Sequence, residues 1–277
     1  MILICFKSLN FSAMAICRTM LPTKNKRIGR KMLITDPIYR AEQAIKNRNT
    51  VMIFLSHHRY STLENIRYEL GMKSKASASR ILKKLCQEGH VKKEELSDNI
   101  TNVTLFGVTR KGLDTYHFNL DNNKSFLKSR VSLRTLNHTL TNQKVGSLLK
   151  KSARLTDVRV INAEIGNFKQ YEHIMKFKHR PDLVLVGKTK TDIVVHVIET
   201  ELTLKDSKRY NPILKEYLQL RRINKISTVW YFVKNEKAKE RLRQMMDKLK
   251  YKLIKHRDER EVWDHLFRIE TIALLGK

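Results

Sequence analysis

The sequence predicts a mixed α/β fold with two ordered units, and three observations support this. Apolar residues recur at helical spacing through most of 36–88, whereas apolar β-branched runs dominate 158–201. The length of 277 residues exceeds the usual size of a single domain. A polar stretch rich in Asn, then in Lys and Arg, interrupts the pattern. We therefore expect a first unit at 36–117, a connector at 118–137 and a second unit at 138–277.

Residues 1–35 are expected to form a flexible basic segment. The apolar stretch that ends near Leu21 is interrupted by Lys7, Asn10 and Arg18. It lacks the basic start and the clean apolar run of a signal peptide, and it is too broken for a transmembrane helix. Three cysteines without paired spacing predict neither a disulfide framework nor a zinc site. These features favour a reducing cytoplasm and no membrane insertion.

The sequence of the first unit predicts several helices followed by a β-hairpin. A Ser-Thr-x-Glu stretch supplies an N-cap and an early acid, and glycines follow two of the predicted helices. The expected helices are Ile38–Asn47, Thr50–His57, a third that begins at Ser61-Thr62 and ends near Leu70, and a fourth from about Lys75 to Glu88. The expected strands are Val91–Leu96 and Val103–Val108, after which Thr109 opens another helix.

This order of helices and strands resembles a winged helix-turn-helix, and the string Gly107–Leu113 is similar to the segment that leaves the wing. In that architecture a recognition helix enters the major groove and the wing lies along the DNA backbone. The resemblance implies DNA contacts from the recognition helix, its start and the wing exit: Lys73, Lys75, Ser77, Arg80, Lys84 and Arg110. The alternative is a winged helix used for protein contacts, with these residues forming a solvated face.

The second unit is predicted to contain a mixed sheet, because short apolar runs alternate with longer amphipathic segments. A leading helix and a helix on either side of the last strand flank the predicted strands. The expected helices are Leu140–Leu155, Asn211–Arg222 and Lys234–Leu249, and the expected strands are Val158–Glu164, Pro181–Val186, Ile193–Glu201 and Thr228–Val233.

Acidic residues border two neighbouring apolar strands of this unit. Asp182 begins one strand, and Glu199 and Glu201 end the next. Glu199 and Glu201 are two residues apart, so they lie on the same strand face, with Thr200 on the other. Carboxylates in apolar surroundings need compensation, and a divalent metal such as Mg²⁺ provides it. The alternative is that all three acids are solvated strand ends.

A longer set of motifs resembles a known family. Pro181-Asp182 followed by the acid-x-acid pair is similar to the PD-(D/E)xK nuclease core. The wider pattern resembles the plasmid replication-relaxation family, and within it the MobC-type relaxases; it comprises Asn162–Glu164, His179–Asp182, Ile198–Thr203, Lys205–Tyr210 and Lys215–Tyr217. The resemblance implies a restriction-endonuclease-like second domain that nicks double-stranded plasmid DNA at a transfer origin with Mg²⁺ or Mn²⁺. It also implies accessory mobilisation and coupling proteins as partners.

The chain departs from the usual motif at one position, where Glu201 replaces the lysine two residues after the acid. Lys205 and Lys215 are the candidates for the missing positive charge, with membership of a general phosphate-binding surface as the alternative. Glu164 is a candidate fourth metal ligand beside Asp182, Glu199 and Glu201. Lys208 and Arg209 are expected to contact DNA.

The charge of the whole chain favours a nucleic acid as partner. The net charge is +29, and from Lys208 to Arg257 there are 16 Lys and Arg residues against 4 Asp and Glu. Such a field attracts polyanions. Two rival interpretations remain open: a PD-(D/E)xK endonuclease of restriction or recombination, and a non-catalytic DNA-binding regulator of plasmid replication. Covalent attack by Tyr210 or Tyr217 is a further alternative to hydrolysis by water.

Overall fold

The computed structural model describes residues 36–97, 102–118, 124–152, 155–162, 177–254 and 257–276. The fold is mixed α/β, as predicted, with one three-stranded sheet and one five-stranded sheet. The expected basic segment 1–35 and the candidate ligand Glu164 lie outside these residues. None of the described helices combines the length and apolar composition needed to span a bilayer.

The N-terminal part packs four helices against a small antiparallel sheet, in which Asn102–Val108 (β3) pairs with Tyr60–Ser61 (β1) on one side and Val91–Ser97 (β2) on the other. Its core consists of apolar side chains from all of these elements, including Met52, Leu55 and Ile66, each inaccessible to water. The elements in chain order are α1 (Pro37–His58), β1 (Tyr60–Ser61), α2 (Leu63–Leu70), α3 (Lys75–Gln87), β2 (Val91–Ser97), β3 (Asn102–Val108) and α4 (Arg110–Thr115).

The helix boundaries here follow from local chemistry. The Thr62 hydroxyl accepts a hydrogen bond from Asn65 N–H and begins α2, which ends at Gly71 in the left-handed conformation with φ 68°. Thr109 caps α4 in the same way through Gly112 N–H. The predicted third and fourth helices are therefore found as α2 and α3.

The larger sheet is mixed, and its strands follow one another in chain order: Thr156–Asn162 (β4), Leu183–Lys188 (β5), Ile193–Glu201 (β6), Thr228–Val233 (β7) and Phe267–Thr271 (β8). Strands β4, β5 and β6 pair antiparallel, whereas β6, β7 and β8 pair parallel. Strand β6 is therefore the central strand. The elements are α5 (Leu133–Ser152), β4 (Thr156–Asn162), β5 (Leu183–Lys188), β6 (Ile193–Glu201), α6 (Ser207–Arg222), β7 (Thr228–Val233), α7 (Glu236–Leu253), α8 (Arg257–Leu266) and β8 (Phe267–Thr271).

The faces of this sheet are covered by different helices. On one face Val145 and Leu149 of α5 pack with Leu183, Ile198 and Phe232. On the other face α6, α7 and α8 cover a larger core that includes Tyr210, Tyr217, Tyr231 and Leu242. Alternate residues of β6 thus point to opposite helical layers, which gives Glu199 and Glu201 the same face.

Several elements differ from the expectation. The two helices expected at Ile38–Asn47 and Thr50–His57 form one continuous helix, α1, because Arg48 and Asn49 between them are neither Pro nor Gly and do not break a helix. Helix α5 begins at Leu133, inside the expected connector. The connector residue Phe126 is 2% exposed and packs on Gly107, where a Cβ would not fit. Helix α8 and strand β8 were not expected.

Candidate active site

The acidic residues meet at one end of the larger sheet. Leu183 pairs with Ile198, so the antiparallel register places Asp182 beside Glu199. Glu199 and Glu201 are each only 3% exposed, which excludes the interpretation that they are solvated strand ends. The Asp182 side chain is 16% exposed and forms part of the rim. Two buried carboxylates under a more accessible third require compensating charge or hydrogen bonds.

Glu199 receives two such hydrogen bonds. Its Oε1 lies 3.0 Å from His179 Nε2 and accepts a bond from the Tyr217 hydroxyl. Burial raises the pKa of Glu199; the His179 contact opposes this rise and the charge of Asp182 adds to it. Burial lowers the pKa of His179, but its hydrogen bond to Glu199 carries it above the ordinary value. Nε2 of His179 and Oε1 of Glu199 are thus within the distance at which one proton can lie between them.

Glu201 is paired with a cation from its own strand exit. Lys205 Nζ, on a side chain 24% exposed, forms an ion pair with Glu201 Oε1. Burial raises the pKa of Glu201, the ammonium of Lys205 opposes the rise, and the charges of Glu199 and Asp182 add to it. Lys205 therefore places a positive charge among the acids, although it lies four residues after Glu201.

Asp182 is held by a strand neighbour and by a helix. Its Oδ2 accepts a hydrogen bond of 2.7 Å from the backbone N–H of Thr200. The same oxygen lies 3.3 Å from Nε2 of His138 on α5. The contact from Thr200 ties the start of β5 to the end of β6, so Asp182 and Glu199 keep their relative positions.

Glu216 fixes the segment that carries His179. Its two carboxylate oxygens accept hydrogen bonds from the backbone N–H groups of Lys178 and His179, the latter at 2.7 Å. Glu216 lies on α6 and is 9% exposed. The acid is thus an anchor between α6 and the approach to β5.

Three tyrosines form the floor of the site. Tyr210 and Tyr217 are 0% exposed and Tyr231 is 1% exposed. Burial, with the nearby acids, raises the pKa of each hydroxyl. Among the described atoms the Tyr231 hydroxyl has no hydrogen-bond partner. A buried, protonated phenol cannot attack a phosphate in solvent, so this geometry disfavours Tyr210 and Tyr217 as covalent nucleophiles.

The described residues contain no group of three His, Cys, Asp or Glu side chains placed to hold a metal ion. Mg²⁺, however, commonly binds one or two carboxylates and takes waters and substrate phosphates as its remaining ligands. Asp182 and Glu199 satisfy that smaller requirement in ligand chemistry and in number. The two carboxylates also repel each other, because the charge of Asp182 contributes to the raised pKa of Glu199.

The other predicted site residues lie farther out. Lys215 is exposed on α6, next to Glu216. Lys208 and Arg209 are exposed in the first turn of the same helix. The structure therefore brings Asp182, Glu199, Glu201 and Lys205 together, and it leaves Lys215 on the surface.

The candidate DNA contacts of the N-terminal part are mostly accessible. Ser77 is half-buried, and the other five are exposed, two of them with acidic partners: Lys75 Nζ lies 3.3 Å from Glu64 and Arg110 Nε lies 3.2 Å from Asp114. The exposed residues are Lys73, Lys75, Arg80, Lys84 and Arg110. Arg80 and Lys84 lie one turn apart on α3.

Comparisons with known proteins do not assign a family. No family model matches the chain, and no curated protein matches it. Among solved structures, restriction endonuclease FokI has 11% identity and a TM-score of 0.30, covering 92% of this chain and 47% of its own. FokI bound to DNA has 8% identity and a TM-score of 0.25, covering 89% and 45%. This chain thus spans about half the length of either, and likenesses this low carry no argument about activity.

Proposed function

We propose that this protein is a DNA-binding endonuclease that cleaves a phosphodiester at the site formed by Asp182, Glu199, Glu201 and Lys205. The observation that carries the proposal is their convergence at one end of the sheet, with two nearly inaccessible carboxylates beside a lysine. Structural stability gains little from such an arrangement, because buried charges cost free energy even when paired. Perturbed acids beside an accessible rim are typical of catalytic sites.

Each residue has a distinct role in this proposal. Asp182 and Glu199 would hold Mg²⁺ or Mn²⁺, which when bound supplies positive charge that stabilises the phosphate during cleavage. Lys205 contacts the phosphate, and Glu201 keeps its ammonium group in the site. His179 and Glu199 hold a proton between Nε2 and Oε1. Glu164 remains a proposed further ligand, and Lys215 a proposed phosphate contact.

The N-terminal part is proposed to be a winged helix-turn-helix that binds DNA. Its support is the order of three helices and a three-stranded antiparallel sheet, with Arg80 and Lys84 exposed on the third helix. Lys73, Lys75, Ser77 and Arg110 complete the proposed surface. The high positive charge of the chain favours DNA over a neutral partner.

The narrower form of the proposal is a plasmid mobilisation relaxase that nicks one strand at a transfer origin. Its support is the family-like motif pattern from Asn162 to Tyr217. The measurement is nicking of a supercoiled plasmid that carries this gene's own neighbourhood, with and without EDTA, and with the cut ends mapped. We expect a metal-dependent nick at one position on one strand. Cleavage of both strands, or cleavage without an origin sequence, would favour a restriction or recombination endonuclease.

A non-catalytic regulator of plasmid replication is the second candidate, and one observation favours it. Glu201 occupies the usual motif lysine position, and the nearby Lys205 is engaged in an ion pair with it. Specific DNA binding without metal-dependent cleavage would select this candidate and exclude the nuclease.

A further inference from the structure

His138 on α5 touches the acid site from the face opposite α6. Its Nε2 lies 3.1 Å from the backbone oxygen of Thr200 and 3.3 Å from Asp182 Oδ2. Both neighbours offer oxygen atoms as hydrogen-bond acceptors, because one is a backbone carbonyl and the other is a carboxylate. A bare ring nitrogen facing two acceptors would be repelled, so Nε2 must carry a proton.

The other ring nitrogen has a different partner. Nδ1 lies 3.4 Å from Nδ2 of Asn142, one helical turn later on α5. Asn142 is 0% exposed, so its amide is held in place by packing. In the neutral imidazole Nδ1 then accepts from this amide, which agrees with the proton at Nε2. The contact with Asn142 therefore restricts the orientation of the ring from within α5.

We propose that His138 is a positioning residue that orients the Asp182 carboxylate for the reaction. The backbone N–H of Thr200 donates to Oδ2, and His138 Nε2 lies 3.1 Å from the Thr200 carbonyl and 3.3 Å from the same Oδ2, so His138 and the Thr200 peptide together hold this carboxylate oxygen. The rotation of the carboxylate is thereby restricted, and Oδ1 is directed away from these donors. Hydrogen bonds of this kind around a ligating group commonly change metal affinity or activity by about 10–100-fold. This role of His138 rests on the proposed nuclease function.

Helix α5, which carries His138, also contacts the N-terminal part. Gln143, the residue after Asn142, accepts from the Ser61 hydroxyl at 2.6 Å and donates to the Tyr60 carbonyl at 2.9 Å. His138 therefore lies on the same rigid element that docks the proposed DNA-binding part. Its contact therefore positions Asp182 relative to the N-terminal part as well as relative to β6.

Two amide variants separate positioning from general packing. In His138→Gln the amide nitrogen is as far along the side chain as Nε2, so it can still donate to Asp182. In His138→Asn the amide nitrogen corresponds only to Nδ1 and cannot reach. We expect His138→Asn to lower kcat by about 10–100-fold and to raise the Mg²⁺ concentration for half-maximal nicking. His138→Gln should recover most of both, with DNA affinity unchanged in each. Equal activity of the two variants, at whatever level, would overturn the proposal.

A second measurement does not depend on cleavage. Proton-detected ¹⁵N NMR of the histidine-labelled protein identifies which ring nitrogen of His138 is protonated. We expect a proton on Nε2 and a shift of that resonance in Asp182→Ala. A ring protonated at Nδ1 alone would overturn the role of His138. A wild-type protein that never nicks DNA would overturn the proposed function, while the NMR result would still decide the hydrogen bond.

Discussion

At the scale of single residues, the acid site depends on two buried carboxylates that are paired with other side chains instead of water. Glu199 is held by His179 and Tyr217, and Glu201 by Lys205. Each pairing offsets part of the desolvation penalty without removing it, so the pKa of both acids is raised. The penalty that remains makes the site suited to bind a further cation, such as the proposed Mg²⁺.

His196 on β6 is a buried histidine, and its effect on stability at different pH values can be measured. It is 5% exposed, its Nδ1 lies 2.6 Å from the Thr228 hydroxyl, and burial lowers its pKa to about 4. The fold therefore favours the neutral ring. The stabilisation that comes from the neutral His196 ring is fully present above the pKa of histidine in the unfolded chain, about 6.5, and is lost as the pH falls toward 4.

We predict that acid destabilises the wild type more than a variant that cannot titrate at this position. Between pH 7 and pH 5 the free energy of unfolding should fall by about 2 kcal/mol more in the wild type than in His196→Asn. The Asn amide can replace Nδ1 toward Thr228. Urea unfolding at both pH values measures the difference, with the exposed His117→Asn as control. Equal acid sensitivity of the wild type and His196→Asn would contradict the prediction.

At the scale of elements, α5 joins the two parts of the chain through a buried polar network. Gln143 is 1% exposed; its Oε1 accepts from Ser61 and Asn65, and its Nε2 donates to the Tyr60 carbonyl. Asn65 Nδ2 also donates to the Leu140 carbonyl at 2.8 Å. A fully paired network of this kind fixes a single geometry, whereas an apolar contact would permit sliding.

Removal of the central amide should therefore be costly. Gln143→Leu leaves the Ser61 hydroxyl and the Tyr60 carbonyl without this partner, at about 1–3 kcal/mol for each buried polar group. We predict a fall of about 2–6 kcal/mol in the free energy of unfolding. The matched control, Gln219→Leu on the exposed side of α6, should change it by less than about 0.5 kcal/mol. Similar denaturation midpoints for the two variants would argue against the network.

The sequence predicts the elements that depend on local pattern. The apolar runs predict β6 and β7 at their observed bounds, and the cap residues Thr62 and Thr109 lie where helices begin. The sequence does not predict elements whose local pattern is ambiguous. The polar stretch around Arg48 suggests a break between two helices, but it contains neither Pro nor Gly, and α1 continues through it. The short, half-polar strand β8 has no pattern that distinguishes it from a loop.

The same division applies to the candidate site. Asp182, Glu199 and Glu201 are predictable because acids at the ends of apolar strands are conspicuous in the sequence. The roles of His138 and Glu216 cannot be predicted in this way. Glu216 contacts the backbone of His179, 37 residues earlier in the chain, and His138 approaches Asp182 from a helix on the opposite face of the sheet. Only the three-dimensional packing of α5 and α6 on the sheet brings them there.

At the scale of the whole molecule, the positive charge is distributed over both parts of the chain. Arg80 and Lys84 are exposed on α3, and Lys208 and Arg209 are exposed on α6. Exposed cations that contact phosphates release counterions, so their contribution depends on salt. Cations outside the contact surface contribute much less.

We predict that Arg80→Ala combined with Lys84→Ala weakens DNA binding and reduces the slope of log affinity against log salt by about 2. The control pair is Lys190→Ala with Lys225→Ala, which removes two exposed charges at the sheet end opposite the acids. Salt titrations of binding to a duplex measure both. If the control pair lowers the slope as much as the α3 pair, binding reflects net charge and the recognition helix is misassigned.

The central claim is that the acids at the end of β5 and β6 cleave DNA, and one pair of substitutions tests it. Asp182→Asn and Asp192→Asn make the same chemical change at opposite ends of β5, the second in the exposed turn before β6. Their initial rates of nicking supercoiled plasmid in Mg²⁺ should be compared with the wild-type rate. We predict a loss of at least about 100-fold for Asp182→Asn and no loss for Asp192→Asn. Wild-type nicking by Asp182→Asn would contradict the account.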